Sequence, residues 1–156
     1  MHRKNLLASC SLLTLILIWN SVAPAQAVFG LSTCEKVRKQ ALSDQSVIKS
    51  LADGQAALIK TRDRQIAKQG FLKWSSDPNS VKEDEIRNRT LAGYKKILTA
   101  FQNLQKSQKC LKPDKYADVL SLIESYKKAV ALWSGPTTTY LSNDLIKYGE
   151  LTYYLK

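Results

Sequence analysis

The amino-acid sequence predicts an all-α protein: an antiparallel bundle of three to four helices that follows an N-terminal signal peptide. Three observations predict this fold. Apolar side chains recur at steps of three and four residues through most of the chain. Proline-containing turns at residues 77–79, 112–114 and 134–136 separate the helical segments. Two cysteines, Cys34 and Cys110, stand where one predicted helix begins and the next one ends, so a disulfide between them would clamp one end of the bundle.

Residues 1–27 have the pattern of a signal for export. A basic start, Met-His-Arg-Lys, precedes an apolar stretch that is densest from Leu12 to Trp19, and small residues follow at Ala25 and Ala27. This order is typical of a segment that is cleaved after the last alanine. The alternative is a retained membrane anchor, but a spanning helix needs about 20 apolar residues and this stretch is shorter. We therefore expect one mature domain over residues 28–156, in the periplasm or outside the cell.

The first predicted helix begins at a capping box. In Ser32-Thr-Cys-Glu35, the serine hydroxyl can accept a hydrogen bond from the backbone N–H of the glutamate, which marks a helix start. The helical pattern then continues to about Gly70 without proline. Ser43-Asp44 and Asp53-Gly54 are weak points within it. The segment is therefore predicted to be bent or split.

A turn and a second capping box precede the next helix. Residues 71–79 end in Asp-Pro-Asn, which cannot continue a helix. Ser80 and Glu83 have the spacing of a capping box. The stripe from Thr90 to Gln108, in alternating steps of four and three, predicts the most regular helix of the chain. We expect it to end near Cys110.

A third helix is predicted between two proline-containing connections. It follows Lys112-Pro113-Asp114 and stops at Ser134-Gly135-Pro136, where glycine and proline favour a helix end. The tail, residues 137–156, allows two interpretations. Leucines at helical spacing favour a fourth helix, which we prefer, whereas Leu151–Leu155 would also suit a short strand.

Cys34 and Cys110 are predicted to form a disulfide. The third cysteine, Cys10, lies within the signal and is lost with it. A pair of thiols in an exported chain usually oxidises, and an up-and-down helix pair places these two positions side by side. Closing the loop between them would remove about 4.5 kcal/mol of unfolded-chain entropy. The alternative is two reduced, buried cysteines.

Composition argues against the common enzyme chemistries. The only histidine is His2, within the predicted signal. The mature chain would therefore lack the usual general base of Ser-His and Cys-His catalysis and the commonest zinc and copper ligand. Glu83, Asp84 and Glu85 could act as paired carboxylates, yet their place at a helix start already explains them through the helix dipole. We predict a protein that is not an enzyme, with no catalytic residue, metal site or cofactor.

Positive charge is concentrated in the first two thirds of the chain. The sequence has 24 Lys and Arg against 13 Asp and Glu. Without Arg3 and Lys4 the mature chain keeps a net charge of +9, all of it before residue 113. The candidate anion-binding residues are Lys60, Arg62, Arg64, Lys68, Lys73, Arg87, Arg89, Lys95 and Lys96. They predict either a surface for an anionic polymer or lipid, or a solvated exterior that keeps the protein soluble. No run of basic residues resembles a dedicated nucleic-acid motif.

Trp74 is the candidate ligand or interface aromatic. It stands beside Lys73 in a predicted loop. A loop tryptophan can stack on a sugar or lie at a membrane interface, and it can equally fold back over the end of a bundle as a lid. Both interpretations stay open from the sequence.

The stretch Phe29-Gly-Leu-Ser-Thr-Cys-Glu-Lys-Val37 resembles the mature start of some small uncharacterised exported bacterial proteins with a helical body. The resemblance covers nine residues, implies a bacterial periplasmic or secreted setting and brings no activity or site residue. Taken together, the sequence predicts an exported helical protein with a non-catalytic binding or structural role at the cell envelope or outside the cell. The alternative is a binder of anionic polymers or lipids through a basic helical face. A protein partner is also compatible with the sequence.

Export should remove residues 1–27 and oxidise the two remaining cysteines. We expect the mass of the protein recovered from the periplasm or medium of a bacterial host to equal that of residues 28–156 less two hydrogen atoms. Intact-mass spectrometry measures this. A recovered chain that still begins at Met1 would refute cleavage, and one that reacts with thiol reagents without prior reduction would refute the disulfide.

Overall fold

Four α-helices make up most of the chain that the structure, a computed structural model, describes: residues 32–135 and 144–156. The helices are α1 (Thr33–Gln69), α2 (Phe71–Ser76), α3 (Glu83–Lys106) and α4 (Tyr116–Ser134). Short 3-10 turns lie at Gln108–Cys110, Pro113–Lys115 and Leu151–Tyr154. The described ranges contain no β-strand, only an isolated bridge between Leu111 and Leu155. The all-α prediction is therefore confirmed, while the predicted signal, residues 1–27, lies outside the described residues.

The first helix is one unbroken helix, so the prediction that this segment is split is wrong. α1 runs for 37 residues. Its two weak points are both held by α3. The Asp44 carboxylate forms a salt bridge with Lys96 (2.7 Å), and the Arg89 guanidinium lies so close to Gly54 that an added Cβ would be 2.8 Å from Nη1. Tertiary contacts override the low local helix propensity at both places.

Only one of the two predicted capping boxes caps a helix. The Ser32 hydroxyl accepts a hydrogen bond from the Glu35 N–H at 3.1 Å, as predicted for the start of α1. At the start of α3 no side chain caps the helix. There the Ser80 hydroxyl accepts from Gln69 Nε2 (3.1 Å), and Glu83 is paired with an arginine of α1. The second capping box was wrong because the end of α1 engages both of its side chains.

α3 is the central helix, with extensive contacts to α1 and to α4, which have few contacts with each other. The pairs across α1 and α3 run in opposite chain directions: Asp44–Lys96, Gln55–Thr90 and Arg62–Glu83. The pairs across α3 and α4 do the same: Arg87–Trp133 and Tyr94–Tyr126. Neighbouring helices are therefore antiparallel.

The disulfide joins Cys34, in the first turn of α1, to Cys110, in the 3-10 turn that follows α3. The Cα atoms of the two cysteines are 5.2 Å apart. The chain terminus meets this end of the bundle, because the Lys156 N–H donates to the Cys110 carbonyl at 3.0 Å. The predicted pairing is confirmed, and it fixes the end of the bundle where α1 starts and α3 stops.

The described part of the tail does not form a fourth helix. Residues 144–150 have no regular structure, and only Leu151–Tyr154 form a 3-10 turn. We call residues 144–156 the strap. The strap buries Ile146, Leu151 and Leu155 in the same core as the helices. The part of the predicted helix over residues 137–143 lies outside the described residues.

A buried glutamine of α1 holds the start of the strap. The Gln55 side chain is fully buried. Its Nε2 donates to the Asp144 carbonyl (2.8 Å) and to Thr90 Oγ1 (2.6 Å), and its Oε1 accepts from the Ile146 N–H (2.8 Å). One side-chain amide thus satisfies a backbone C=O and the N–H two residues further along.

A second glutamine of α1 repeats this pattern. Gln45 Nε2 donates to the Gly149 carbonyl (3.4 Å), and Gln45 Oε1 accepts from the Leu151 N–H (2.7 Å). Backbone groups that a helix would satisfy internally are satisfied here by side chains of α1. The helix prediction for these residues was wrong because no local sequence pattern indicates that Gln45 and Gln55 of α1 bind their backbone.

The position of Ile146 depends on a glycine in α3. Gly93 is buried, and a Cβ added there would overlap the Ile146 side chain. We expect Gly93→Ala to lower the free energy of unfolding by about 1–3 kcal/mol through overpacking. In an Ile146→Ala background the same change should raise it by about 1 kcal/mol, because alanine is the better helix former. Urea unfolding of the oxidised protein measures both. Stabilisation by Gly93→Ala in both backgrounds would contradict the packing described here.

Candidate anion-binding surface

The nine cations predicted to bind anions fall into two groups. Four of them lie against other parts of the fold: Arg62, Arg87, Arg89 and Lys96. Five are exposed to solvent: Lys60, Arg64, Lys68, Lys73 and Lys95. The predicted set is therefore not one surface, because several of its members hold helices together.

Arg62 is a structural residue, and its assignment to the surface is wrong. Its side chain is 1% exposed. Nη1 pairs with the Glu83 carboxylate at 2.6 Å, and Nη2 pairs with Asp63 at 2.8 Å. The planar guanidinium can serve both carboxylates at once, which makes its burial tolerable. Arg62 thereby joins α1 to the first turn of α3.

Two other cations of the set also connect helices. Arg87 Nε donates to the Trp133 carbonyl (3.1 Å) at the last turn of α4, where helix carbonyls lack partners within the helix. Lys96 pairs with the buried Asp44 carboxylate, which also accepts a hydrogen bond from Gln40 Nε2 (2.9 Å). Removing either cation would leave a polar group of a neighbouring helix without this partner.

The exposed cations include a regular line on α1. Lys60, Arg64 and Lys68 are spaced by four residues, which places them on one face of the helix. Among the residues that the structure describes, none of the three side chains has an ion-pair or hydrogen-bond partner. We call these three residues the basic stripe. Lys73 of α2 lies further along the chain beyond its end, and Lys95 lies on α3.

The acidic residue nearest to the basic stripe in the sequence does not neutralise it. The Asp63 carboxylate accepts hydrogen bonds from Arg62 Nε (3.0 Å) and Nη2 (2.8 Å) instead. Like charges at a spacing of four residues destabilise a helix by a few tenths of a kcal/mol per pair. The repulsion within the basic stripe is therefore a small cost to α1, offset in part at Lys68, which lies in the last turn at the negative end of the helix dipole.

An apolar depression adjoins the basic stripe. Apolar residues line it, together with the charged residues Lys60, Asp63 and Arg64. The depression is shallow and open to solvent. The surface thus combines a line of cations with exposed apolar area, a combination that suits large or extended anions with an apolar part.

Comparison of the chain with protein-family models, with curated proteins and with solved structures finds no match. No helix within the described ranges is both long and apolar enough to cross a membrane. What this surface binds is therefore inferred from its geometry and charge.

Trp74 lies in α2 and not in a loop. Its side chain is 4% exposed, and its Nε1 donates to the Val81 carbonyl at 3.1 Å. The ring lies 5.4 Å from that of Phe71 and 5.7 Å from Lys82 Nζ. The indole is folded back under α2, in the position of a lid, and it presents little surface to a ligand in this conformation.

Phe71 and Leu72 are the exposed apolar residues of this region, and the sequence analysis missed them. Both were assigned to the turn that Asp77-Pro78-Asn79 announces, although the turn itself begins only at the end of α2. The sequence does contain a pattern that could have identified them. Two large apolar residues directly follow Gly70 and precede Lys73.

Hydrogen bonds of its own polar groups hold the turn between α2 and α3. The Asp77 carboxylate accepts a hydrogen bond from the Asn79 N–H at 2.9 Å, which lowers the pKa of Asp77. Gln69 Nε2 donates to Ser80 Oγ from the end of α1. Asp77 is therefore ionised near neutral pH, and the turn is tied to the helix before it.

The acidic residues at the start of α3 have the structural role that the sequence allows. Glu83, Asp84 and Glu85 occupy its first turn, at the positive end of the helix dipole. Glu83 is held by Arg62, whereas the other two side chains are exposed. In the described part of the chain, no group of three Asp, Glu, His or Cys side chains is arranged to hold a metal ion.

Alanine substitutions at Arg62 and Arg64 should distinguish a cation that stabilises the fold from one that is only exposed on the surface. We expect Arg62→Ala to lower the free energy of unfolding by about 2 kcal/mol, because it removes a fully buried side chain and the charge-assisted hydrogen bonds that it donates to the partly exposed Glu83 and Asp63. Arg64→Ala should change it by about 0.5 kcal/mol or less, as exposed substitutions do. Urea unfolding followed by circular dichroism compares the two. Equal small effects would show that the ion pairs of Arg62 do not stabilise the fold.

Proposed function

We propose that this protein is exported to the cell envelope and binds an anionic polymer or lipid surface there without catalysing a reaction. The observation that carries the proposal is the basic stripe: three exposed cations in line on α1, without partners among the described residues. The resemblance of its predicted mature start to exported bacterial proteins supports a bacterial envelope as the setting. The Cys34–Cys110 disulfide supports export, because such bonds persist mainly in oxidising compartments.

The arrangement favours a partner with many charges over a small anion. Exposed ion pairs contribute only about 0–1 kcal/mol each, because both groups stay hydrated and the long side chains lose freedom. A single phosphate on the basic stripe would therefore bind weakly. A surface or polymer with repeated negative charges meets several cations at once, and each cation near an anionic membrane contributes about 1 kcal/mol. Summed over the stripe, such contacts give useful affinity without a shaped pocket.

The net charge of the chain adds a longer-range contribution. Residues 28–156 carry a net charge of +9, and all of it precedes residue 113. An excess of one sign attracts an oppositely charged partner and speeds its encounter, and salt weakens this attraction. Binding through the basic stripe should therefore fade as the ionic strength rises.

The non-catalytic part of the proposal is supported by the structural role of Glu83 and by the absence of histidine after His2. The carboxylate pair that composition offered for hydrolysis includes Glu83, which is fixed by Arg62 at 2.6 Å. The only histidine of the chain is His2, in the predicted signal. Contact with a partner, and not bond breaking, is the role that the exposed groups support.

Co-sedimentation tests the proposal, with two partners in separate arms: isolated cell-wall material, and vesicles of equal parts phosphatidylglycerol and phosphatidylcholine. The exported, oxidised protein should bind at least one of them at about 50 mM salt and be released towards about 500 mM. Charge reversal of the basic stripe (Lys60→Glu, Arg64→Glu and Lys68→Glu) should weaken binding about a hundredfold.

The control variant changes the net charge by the same amount elsewhere. It carries Lys36→Glu, Lys39→Glu and Lys128→Glu, three exposed positions on α1 and α4 without ion-pair partners among the described residues. Its binding should fall about fivefold or less. Equal losses in the two variants would mean that net charge and not the basic stripe is recognised. Failure to bind either partner at low salt would refute the proposal and leave the charge a solubility role.

A further inference from the structure

We infer that α2 is a membrane-contact element, which places Leu72 and Phe71 at the boundary between the headgroups and the acyl chains of an anionic bilayer. The inference rests on the proposed function and narrows its partner to a lipid surface. It starts from two neighbouring apolar side chains that the fold leaves in water. Leu72 is 83% exposed and Phe71 is 51% exposed. Single exposed apolar residues are common, but an adjacent pair of this size on a six-residue helix is an apolar patch.

The fold fixes which side of α2 faces solvent. Trp74 is buried beneath the helix and is hydrogen-bonded to the Val81 carbonyl at 3.1 Å. Turning the helix to bury Leu72 would expose the indole and break that bond. The exposure of Leu72 is therefore a consequence of how Trp74 is held.

A lysine from the following turn secures the other end of α2. Lys82 Nζ donates to the carbonyls of Trp74 (3.2 Å), Ser75 (3.1 Å) and Asp77 (2.6 Å). These carbonyls lie at the end of α2, where a helix lacks internal donors. Because the helix is capped in this way, it can present its apolar residues without first becoming ordered, which lowers the entropic cost of binding.

The charges around the apolar pair are complementary to an anionic membrane. Residues 64–82 contain Arg64, Lys68, Lys73 and Lys82 against the single acid Asp77, and the acidic first turn of α3 begins directly after them. Lys68 and Lys73 are exposed on either side of the apolar pair in the sequence. Apolar residues flanked by cations are the composition of segments that lie in the membrane interface.

The apolar pair is what favours a lipid over a wall polymer. The cations would serve either partner, since both carry repeated negative charge. Leucine and phenylalanine side chains gain free energy only where they leave water, and the boundary between headgroups and acyl chains offers such a medium. A hydrated polyanion does not.

Vesicle binding tests the inference, with a matched pair of single variants. Leu72→Ala should lower partitioning onto vesicles of equal parts phosphatidylglycerol and phosphatidylcholine about tenfold. Leu42→Ala is the control, because Leu42 is also exposed, at 54%, but lies on α1 near the disulfide end. Its partitioning should stay within about twofold of the parent. Neither change removes a buried side chain, so both variants should fold.

A fluorescence measurement shows whether position 72 of α2 enters the bilayer. Leu72→Trp should add emission that lipids with brominated acyl chains quench, whereas the emission added by Leu42→Trp should not be quenched. The parent protein supplies the background from its own tryptophans, among them Trp74 and Trp133.

The outcomes separate this inference from the proposed function. If Leu72→Ala binds anionic vesicles as tightly as the parent, α2 is not the contact, and salt-sensitive binding through the basic stripe still stands. If the protein sediments with wall material but not with vesicles, the inference that the partner is a lipid is refuted, whereas the proposed binding of an anionic polymer still stands. If it binds neither, both proposals fall.

Discussion

The buried amide of Gln55 joins three parts of the fold at one point: α1, α3 and the start of the strap. It belongs to α1, donates to Thr90 of α3, and binds the backbone of the strap at Asp144 and Ile146. A buried amide with unmet hydrogen bonds would cost about 1–3 kcal/mol for each group left unpaired. Here both N–H groups and the oxygen are used. The strap therefore closes the bundle where a fourth helix was expected.

The position of the strap determines how the hydrophobic core is completed. With the strap in place, Ile146, Leu151 and Leu155 complete a core that three long helices leave open. Gly93 provides the space for Ile146. The far half of α1, which bears the basic stripe, is held to α3 by Arg62 through Glu83. The surface proposed to bind anions is thus on a helix whose position is fixed along its length.

Local patterns in the sequence were sufficient to predict α1, α3, α4 and the disulfide. Helical periodicity and proline-containing turns depend on residues close in the chain, and the cysteines follow from the helix ends. The strap could not be predicted in this way, because its backbone is satisfied by Gln45 and Gln55, about a hundred positions earlier. The split allowed at Gly54 does not occur, and the contact with Arg89 of another helix could likewise not be read from the local sequence.

The candidate surface was only partly predictable. The spacing of Lys60, Arg64 and Lys68 shows that they share a face, whereas the burial of Arg62 depends on Glu83 of α3. The exposure of Leu72 follows from Trp74 turning inward, and the sequence alone offers that tryptophan both a buried and an exposed role. Which cations and apolar groups face solvent is decided by contacts between helices.

Gln45 and Gln55 bind the strap through its backbone groups, and this limits how its sequence can evolve. We call each pair of hydrogen bonds a grip. Outward side chains such as Asp144, Lys147 and Glu150 are exposed, so substitution there leaves both grips intact. Loss or gain of a single residue between Ile146 and Gly149 would shift the register and release one grip. Related chains should therefore vary at the outward positions of this segment while keeping its length and an apolar residue at the position of Ile146.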